Sequence, residues 1–354
     1  MSEKILMKGN EAIAEGAIRG GCRYFFGYPI TPQNEIPEYM SWRIREVGGD
    51  YIQAESEVAA INMVYGAAGA GARVMTSSSS PGVSLKQEGI SYICMAELPC
   101  VLINMTRSGP GLGGIQPSQG DYFQTVKGGG HGDYKMLTYA PSTVQEAVDI
   151  LYDAFDKSDK YRVPVFILGD GLLGQIMEPV SFKPMKEMPN PSTKDFGTTG
   201  KHHGKERRIV NSLYIEPEIC EPKNLQLQQK YKLLEQKEVK CEEYLCDDAE
   251  IIITGFGTVG RIIRTAIDDL RAKGVKVGMI RPITVFPFPG EVYKKYANKQ
   301  SVKMFLDVEL NAGQMIEDVK LNVEGKKRVE FLGKLGGYVI SPEEIIEKIM
   351  EVIK

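Results

Sequence analysis

A chain of 354 residues, 42% hydrophobic and 25% charged, is long enough to bury two separate cores. Its formal net charge is -3 and it has no dense Lys/Arg block, which argues against nucleic acid and anionic membrane surfaces as partners. No apolar run reaches bilayer length, and Met1-Ser2-Glu3-Lys4 lacks the basic start and apolar core of a signal peptide, so a cytoplasmic protein is expected.

Along the first 180 residues helix-like and strand-like segments alternate. Residues 10–19 read as a helix, 24–26 as a short apolar strand, 35–45 as a helix and 51–54 as a strand, with Ser56 placed to cap a helix beginning near Glu57. Residues 73–76 read as a strand followed by a polar turn of four serines, 85–97 as a helix and 101–105 as a strand. A long loop over 109–132 precedes a strand at 135–139, a helix at 142–157 with a Ser142-x-x-Gln145 capping box, and an apolar strand at 163–168. Such alternation predicts a mainly parallel sheet with helices on both faces.

Residues 181–247 differ in texture. Prolines cluster there and polar residues dominate, so the stretch reads as a linker carrying one solvated helix over 226–243. From 248 to 354 the alternation returns: strands at 251–253, 275–280, 302–306 and 328–332, a helix at 259–273, and a last helix opened by Ser341-Pro342-Glu343-Glu344. The expectation is therefore two α/β domains, 1–180 and 248–354, joined by the linker. No short-period repeat is present.

The six cysteines are scattered and form no C-x-x-C, and there are only three histidines, so no metal or iron–sulfur signature is present and buried, inert thiols are expected. The polar residues, in contrast, converge. In doubly wound sheets ligands sit at the carboxyl ends of the strands. Tyr28 to Thr31 follow the first predicted strand, Glu55 and Glu57 the second, Ser77 to Ser80 the third, and Arg107 the fourth. Taken singly, each has a plain structural role: Pro29 and Pro32 stiffen a loop, the glutamates favour a helix start, the serines make a turn and Arg107 sits on the surface. Four successive strand ends point instead to one polar edge, and so to a site whose chemistry they leave unnamed. The helix after Glu57 holds Ala59, Ala60, Gly66, Ala67, Ala68, Gly69 and Ala70, which suits either close core packing or a subunit interface.

Gly9-Asn10-Glu11-Ala12, Gly27-Tyr28-Pro29-Ile30-Thr31-Pro32, Glu55-Ser56-Glu57 and Arg107-x-Gly109-Pro110-Gly111 resemble the pyrimidine-binding (alpha-type) subunit of 2-oxoacid:ferredoxin oxidoreductases, closest in texture to the 3-methyl-2-oxobutanoate branch. Ile253 to Thr258 resembles the start of that subunit's second domain. The resemblance implies a doubly wound thiamine diphosphate-binding domain of the pyrimidine type plus a smaller transketolase-C-terminal-like α/β domain. It implies CoA-dependent oxidative decarboxylation of a 2-oxoacid, with electrons passing to ferredoxin.

The resemblance also implies roles. Glu57 matches the glutamate that bonds the pyrimidine ring nitrogen and favours its imino tautomer, which generates the thiazolium ylid; the cofactor then acts as the electron sink. Thr31 and Arg107 match positions on the substrate's carboxylate side, a task suited to the planar guanidinium fork. Tyr28, Pro29, Ile30 and Ser79 are implied as further cofactor contacts. A beta-type subunit is implied for the diphosphate and Mg²⁺, a ferredoxin-like subunit for the iron–sulfur clusters, and a gamma-type chain for the small domain that some relatives fuse at the N-terminus. The loop after Arg107 departs from the pattern, reading Ser108-Gly109-Pro110-Gly111-Leu112 where many relatives have Gly-Pro-Ser-Thr-Gly. A pyruvate- or 2-oxoglutarate-specific member, or a non-catalytic assembly subunit, is the alternative.

Three motifs compete with this reading. Gly255-Phe256-Gly257-Thr258-Val259-Gly260 fits a dinucleotide fingerprint, but no acidic residue ends the next strand at Ile280-Arg281, so glycine-mediated helix–strand packing is expected. Gly169-Asp170-Gly171 resembles the opening of a thiamine diphosphate–Mg²⁺ motif without its asparagine pair, Asn190 being single; a domain-closing turn is expected. His131-Gly132-Asp133 reads as a loop segment.

Overall fold

Val101–Thr106 is buried at every position, as a parallel strand covered by helices on both faces requires. In the computed structural model, which describes residues 4–188, 194–200 and 206–353, the first part of the chain runs β1 (Ile5–Lys8), α1 (Gly9–Arg19), β2 (Tyr24–Gly27), α2 (Glu35–Glu46), β3 (Asp50–Gln53), α3 (Glu57–Gly69), β4 (Val74–Ser78), α4 (Ser80–Met95), β5 (Val101–Thr106), α5 (Tyr122–Val126), β6 (Leu137–Tyr139), α6 (Val144–Tyr161), β7 (Val165–Asp170), α7 (Gly171–Gln175) and β8 (Met177–Val180). The remainder runs α8 (Pro217–Lys237), β9 (Cys241–Tyr244), β10 (Ile251–Thr254), α9 (Val259–Ala272), β11 (Val277–Pro282), β12 (Thr284–Phe286), α10 (Gly290–Ala297), β13 (Met304–Glu309), α11 (Met315–Val323), β14 (Arg328–Gly333) and α12 (Pro342–Val352).

A seven-stranded sheet has the order β12-β6-β7-β5-β4-β2-β3 and is parallel except for β12, which runs antiparallel to β6. A five-stranded sheet has the order β14-β13-β10-β11-β9, parallel except for β9. The short β1–β8 pair lies apart. In the larger sheet β2 sits between β3 and β4, so the strand order reverses there, and the crevice outside the carboxyl ends of β2 and β4 is the place where a ligand fits.

One apolar layer joins α1, α2, α6 and α8 to the sheet through residues such as Ile13, Met40, Leu151 and Tyr231. The other runs without interruption from Ile61 and Ile93 through Tyr122 to Phe256 and Phe305, so the two sheets share a core. The Tyr122 and Phe256 rings meet at 5.3 Å across that junction. Helix α9 packs Ile263, Ala266, Ile267 and Leu270 inward at helical spacing, and burial of each isoleucine and of the leucine contributes about 1.5–3 kcal/mol.

Several segments differ from the sequence expectation. The serine run is not a turn: Ser77 and Ser78 end β4 and Ser80 opens α4, five residues before the expected start. The cap of α6 is Thr143, which accepts from the Glu146 amide at 3.1 Å, and not Ser142, because Glu146 turns back to the Ser142 amide and to Arg281. The linker helix starts earlier, at Pro217, and 241–244 leaves it to form β9. It docks on the first sheet's core through Leu227, Tyr231 and Leu234, one stripe on an otherwise polar helix. Strands β1, β8, β9 and β12 and helices α5, α7, α10 and α11 have no counterpart in the sequence expectation, most of them being short or polar. The capping box at Ser341 and Glu344 is present. Asn190 lies outside the described residues.

Candidate functional site

Glu57 is the first residue of α3, held there by Ser56, whose hydroxyl accepts from the Ala59 amide at 3.1 Å. It is 6% exposed, whereas Glu55 is exposed, so the two carboxylates occupy different environments. No described residue donates a hydrogen bond to the Glu57 carboxylate. Its room is made by Gly82 in the first turn of α4: a Cβ there would stand 2.2 Å from Ser78 Oγ and 2.6 Å from Glu57 Oε1. Beside it, the hydroxyls of Ser78 and Ser79 are buried and find no partner among the described residues. Buried polar groups are ordinarily satisfied, so a carboxylate and two hydroxyls left open together mark a place prepared for a polar ligand.

The loop after β2 is anchored from two sides. Gln33 donates to the Tyr28 carbonyl at 3.3 Å and accepts from the Ser77 hydroxyl on β4. Arg107, at the end of β5, donates from Nη1 to the Thr31 carbonyl and from Nη2 to the Leu112 carbonyl, both at 3.1 Å. Its Nε is buried without a partner among the described residues. Asn34 approaches the Thr31 hydroxyl at 3.4 Å. Thr31 and Arg107 are therefore in contact, and Tyr28, Pro29 and Ile30, partly exposed, lie on the same loop. The Thr31–Pro32 and Gly109–Pro110 bonds are both cis.

Beneath Arg107 lies a triad in which the sequence reading had offered Ser80 but not Asn104 or Asp121. The Ser80 hydroxyl donates to Asp121 at 2.6 Å and accepts from the Arg107 amide at 3.0 Å, while Asn104 donates to Asp121 at 2.8 Å. Burial raises the Asp121 carboxyl above its ordinary range, against the pull of those hydrogen bonds. Gln33 and Lys86 were also missed. The signal for Lys86 was present: a lysine on the face of α4 shared by Gly82 and Gly89. A cavity of about 480 Å³ opens beside Thr31, lined also by Pro32, Ile115, Pro117, Leu172 and Val339. Glu57 and Arg107 do not line it, so in this single chain Glu57 is not part of the recess at Thr31.

The competing motifs have other work. Gly255 allows close packing of Val259, Ile263 and the Val308 carbonyl, and Phe256 receives the Gln119 side chain at 2.8 Å. A Cβ at Gly257 would meet Gln119 Nε2 at 3.2 Å, so protein stands where a pyrophosphate would approach, and a Cβ at Gly260 would meet Arg281 Cδ at 2.3 Å, the close helix–strand packing expected of that glycine. Asp170 is not a simple turn residue: it caps α7 through the Leu173 amide at 3.0 Å and accepts from Thr258. His131 is exposed and meets Ser91 Oγ at 3.4 Å. Among the described residues no three His, Cys, Asp or Glu side chains form a cation-binding group, and burial raises the thiols of Cys22, Cys94 and Cys100. No helix among the described residues is long and apolar enough to cross a membrane.

Residues 15–238 match the family model described as pyruvate flavodoxin/ferredoxin oxidoreductase, thiamine diphosphate-binding, and residues 249–345 match pyruvate:ferredoxin oxidoreductase core domain II. The chain is 47% identical to the ketoisovalerate oxidoreductase subunit VorB of Methanothermobacter thermautotrophicus, over 98% of this chain and 97% of that one. It is 38% identical to the 2-oxoglutarate synthase subunit KorA of Methanocaldococcus jannaschii, over 96% and 97%. Among solved structures, the 2-oxoglutarate:ferredoxin oxidoreductase from Magnetococcus marinus aligns with a TM-score of 0.83 at 25% identity, covering all of this chain and 66% of that longer one. A split-gene transketolase aligns at a TM-score of 0.56 and 11% identity, a likeness of fold alone.

Proposed function

This chain belongs to the thiamine diphosphate-binding pyruvate flavodoxin/ferredoxin oxidoreductase family, and from that premise we propose that it is the subunit holding the cofactor's aminopyrimidine in a CoA-dependent 2-oxoacid:ferredoxin oxidoreductase acting on 3-methyl-2-oxobutanoate. The observation that carries the reading is the buried Glu57 carboxylate, open to a ligand beside the unpartnered Ser78 and Ser79 hydroxyls in the space left by Gly82. That donor and acceptor set fits the ring nitrogen and amino group of a pyrimidine.

Bound thiamine diphosphate supplies the electron sink for decarboxylation. The chain's own residues do the rest of the work assigned here. Glu57 shares a proton with the pyrimidine ring nitrogen, and Ser79 and the loop Tyr28-Pro29-Ile30 border the ring. Arg107, pinned by two carbonyls with Nε–H left over, faces the carboxylate end of the substrate together with Thr31. Asp121 holds Ser80 and so the backbone of Arg107. The diphosphate and Mg²⁺ are assigned to a beta-type partner, the iron–sulfur clusters to a ferredoxin-like subunit, and a gamma-type subunit completes the complex. The domain division at 180 and 247 belongs to the same proposal.

The preference for a branched 2-oxoacid over 2-oxoglutarate is supported by the 47% identity to the ketoisovalerate oxidoreductase subunit against 38% to the 2-oxoglutarate synthase subunit. The test is the reconstituted complex assayed with coenzyme A, a low-potential dye and a panel of 2-oxoacids. Glu57→Ala should assemble normally and lose about 10²–10⁴-fold in dye reduction, with 3-methyl-2-oxobutanoate the preferred substrate of the wild type. Full activity in Glu57→Ala would sink the assignment, and preference for 2-oxoglutarate would sink the substrate.

A further inference from the structure

Lys86 is a buried cation that the proposed reaction leaves unused. It sits in α4 one turn after Gly82 and nearly one turn before Gly89, and this face of α4 packs on α3. A Cβ at Gly82 would stand 2.6 Å from Glu57 Oε1, and one at Gly89 would stand 2.6 Å from Ile61 Cγ2. Between these two close approaches the Lys86 side chain, 2% exposed, donates from Nζ to Thr76 Oγ1 at 2.7 Å and to the Ser77 carbonyl at 3.0 Å on β4.

Both acceptors are neutral. An ammonium buried against neutral groups alone is costly, and a counter-charge is what makes such burial tolerable. Thr76 and Ser77 face it from the sheet, and Glu57, the carboxylate of α3, meets the same face of α4 one turn away at Gly82 without forming a direct ion pair with Lys86. Burial pushes the Lys86 ammonium down to about 7, and the Glu57 charge works against that fall. Glu57 in turn is buried and receives no hydrogen bond from a described residue.

We propose that Lys86 is a positioning residue for Glu57: fixed to β4 by Thr76 and Ser77, it is the counter-charge that keeps the buried carboxylate in place, unbonded and ready for the pyrimidine ring nitrogen. The proposal rests on the reading of Glu57 as the pyrimidine partner. The ammonium is charged below its pKa and loses that charge as pH rises through about 7, so its support for Glu57 weakens over the same interval.

Two measurements test it. In the full-length chain labelled with [ε-13C]lysine, the Lys86 signal, assigned by its loss in Lys86→Arg, is titrated with pH. Glu57→Gln should lower its midpoint by about one pH unit. In the assembled complex, thiamine diphosphate affinity is measured from pH 6 to 8 by equilibrium dialysis. Lys86→Met should weaken it at the acid end by about tenfold and flatten its pH dependence, while Lys86→Arg restores most of it. A Lys86 midpoint indifferent to Glu57→Gln, or Lys86→Met binding as wild type does, would overturn the role of Lys86 alone. A wild-type complex that binds no thiamine diphosphate would overturn the functional reading beneath it.

Discussion

Thr258, in the turn after β10, donates its hydroxyl to the carboxylate of Asp170, the last residue of β7, across the junction of the two sheets. Each residue belongs to a motif that imitates a cofactor site, and here the two motifs bind one another. Asp170 is fully buried, and that burial raises its carboxyl above the usual range while the Thr258 hydroxyl and the Leu172 and Leu173 amides hold it down. Thr258→Val keeps the shape and removes the donor. It should cost about 1–3 kcal/mol, read as a lower urea midpoint with an unchanged slope; an unmoved midpoint would refute the contact's importance.

Asp307 invites a different experiment. It lies in the middle of β13, fully buried, and neither carboxylate oxygen has a partner among the described residues. Burial, and then the charge of Glu309, pushes its carboxyl well above the usual range. The folded chain therefore keeps a proton that the unfolded chain releases near pH 4, and the cost to stability grows as pH rises above that point. Asn has no proton to lose. The melting temperature of Asp307→Asn relative to wild type should accordingly rise by about 2 °C or more between pH 4 and pH 8; a difference independent of pH would show that Asp307 is ionised in the fold.

Arg281 carries the heaviest ionic contact between the two halves. Its Nη2 and Nη1 meet the two Glu146 oxygens at 2.8 and 3.0 Å, and Nε meets Glu242 at 2.6 Å. Its side chain is 6% exposed, while the carboxylates retain 21% and 25%. Arg281→Met leaves Glu242 with Arg264 and Glu146 with the Ser142 amide and hydroxyl, so it should cost about 1–3 kcal/mol. Adding Glu146→Leu should recover part of the loss in the urea midpoint; strict additivity of the two changes would show that the pair is not coupled.

Much of this was readable beforehand because two patterns agreed. The period of the apolar residues located the main strands and helices, and punctuation by Pro, Gly and Ser located their ends, so Tyr28–Thr31, Glu57, Ser77–Ser80 and Arg107 could be set on one edge. What escaped depends on tertiary context. β12 and β9 are three and four residues long and exist because a neighbouring strand offers an edge. The Ser77–Ser80 segment is polar enough to pass for a turn, yet two of its hydroxyls are buried without a partner among the described residues, beside the packing of Gly82 against Glu57. Local sequence separated Glu55 from Glu57 only by analogy, whereas burial separates them physically.

The placement of β12 has a bearing on how this protein can be divided in the laboratory. Thr284–Phe286 comes from the C-terminal part of the chain yet closes the edge of the larger sheet on β6. A fragment ending at 247 would therefore carry an uncapped β6, with its row of amides and carbonyls open to any passing strand. It would also expose the apolar side of Tyr122 on which Phe256 rests. Such a fragment is built to stick to copies of itself, so the segments on either side of 247 should be expressed together.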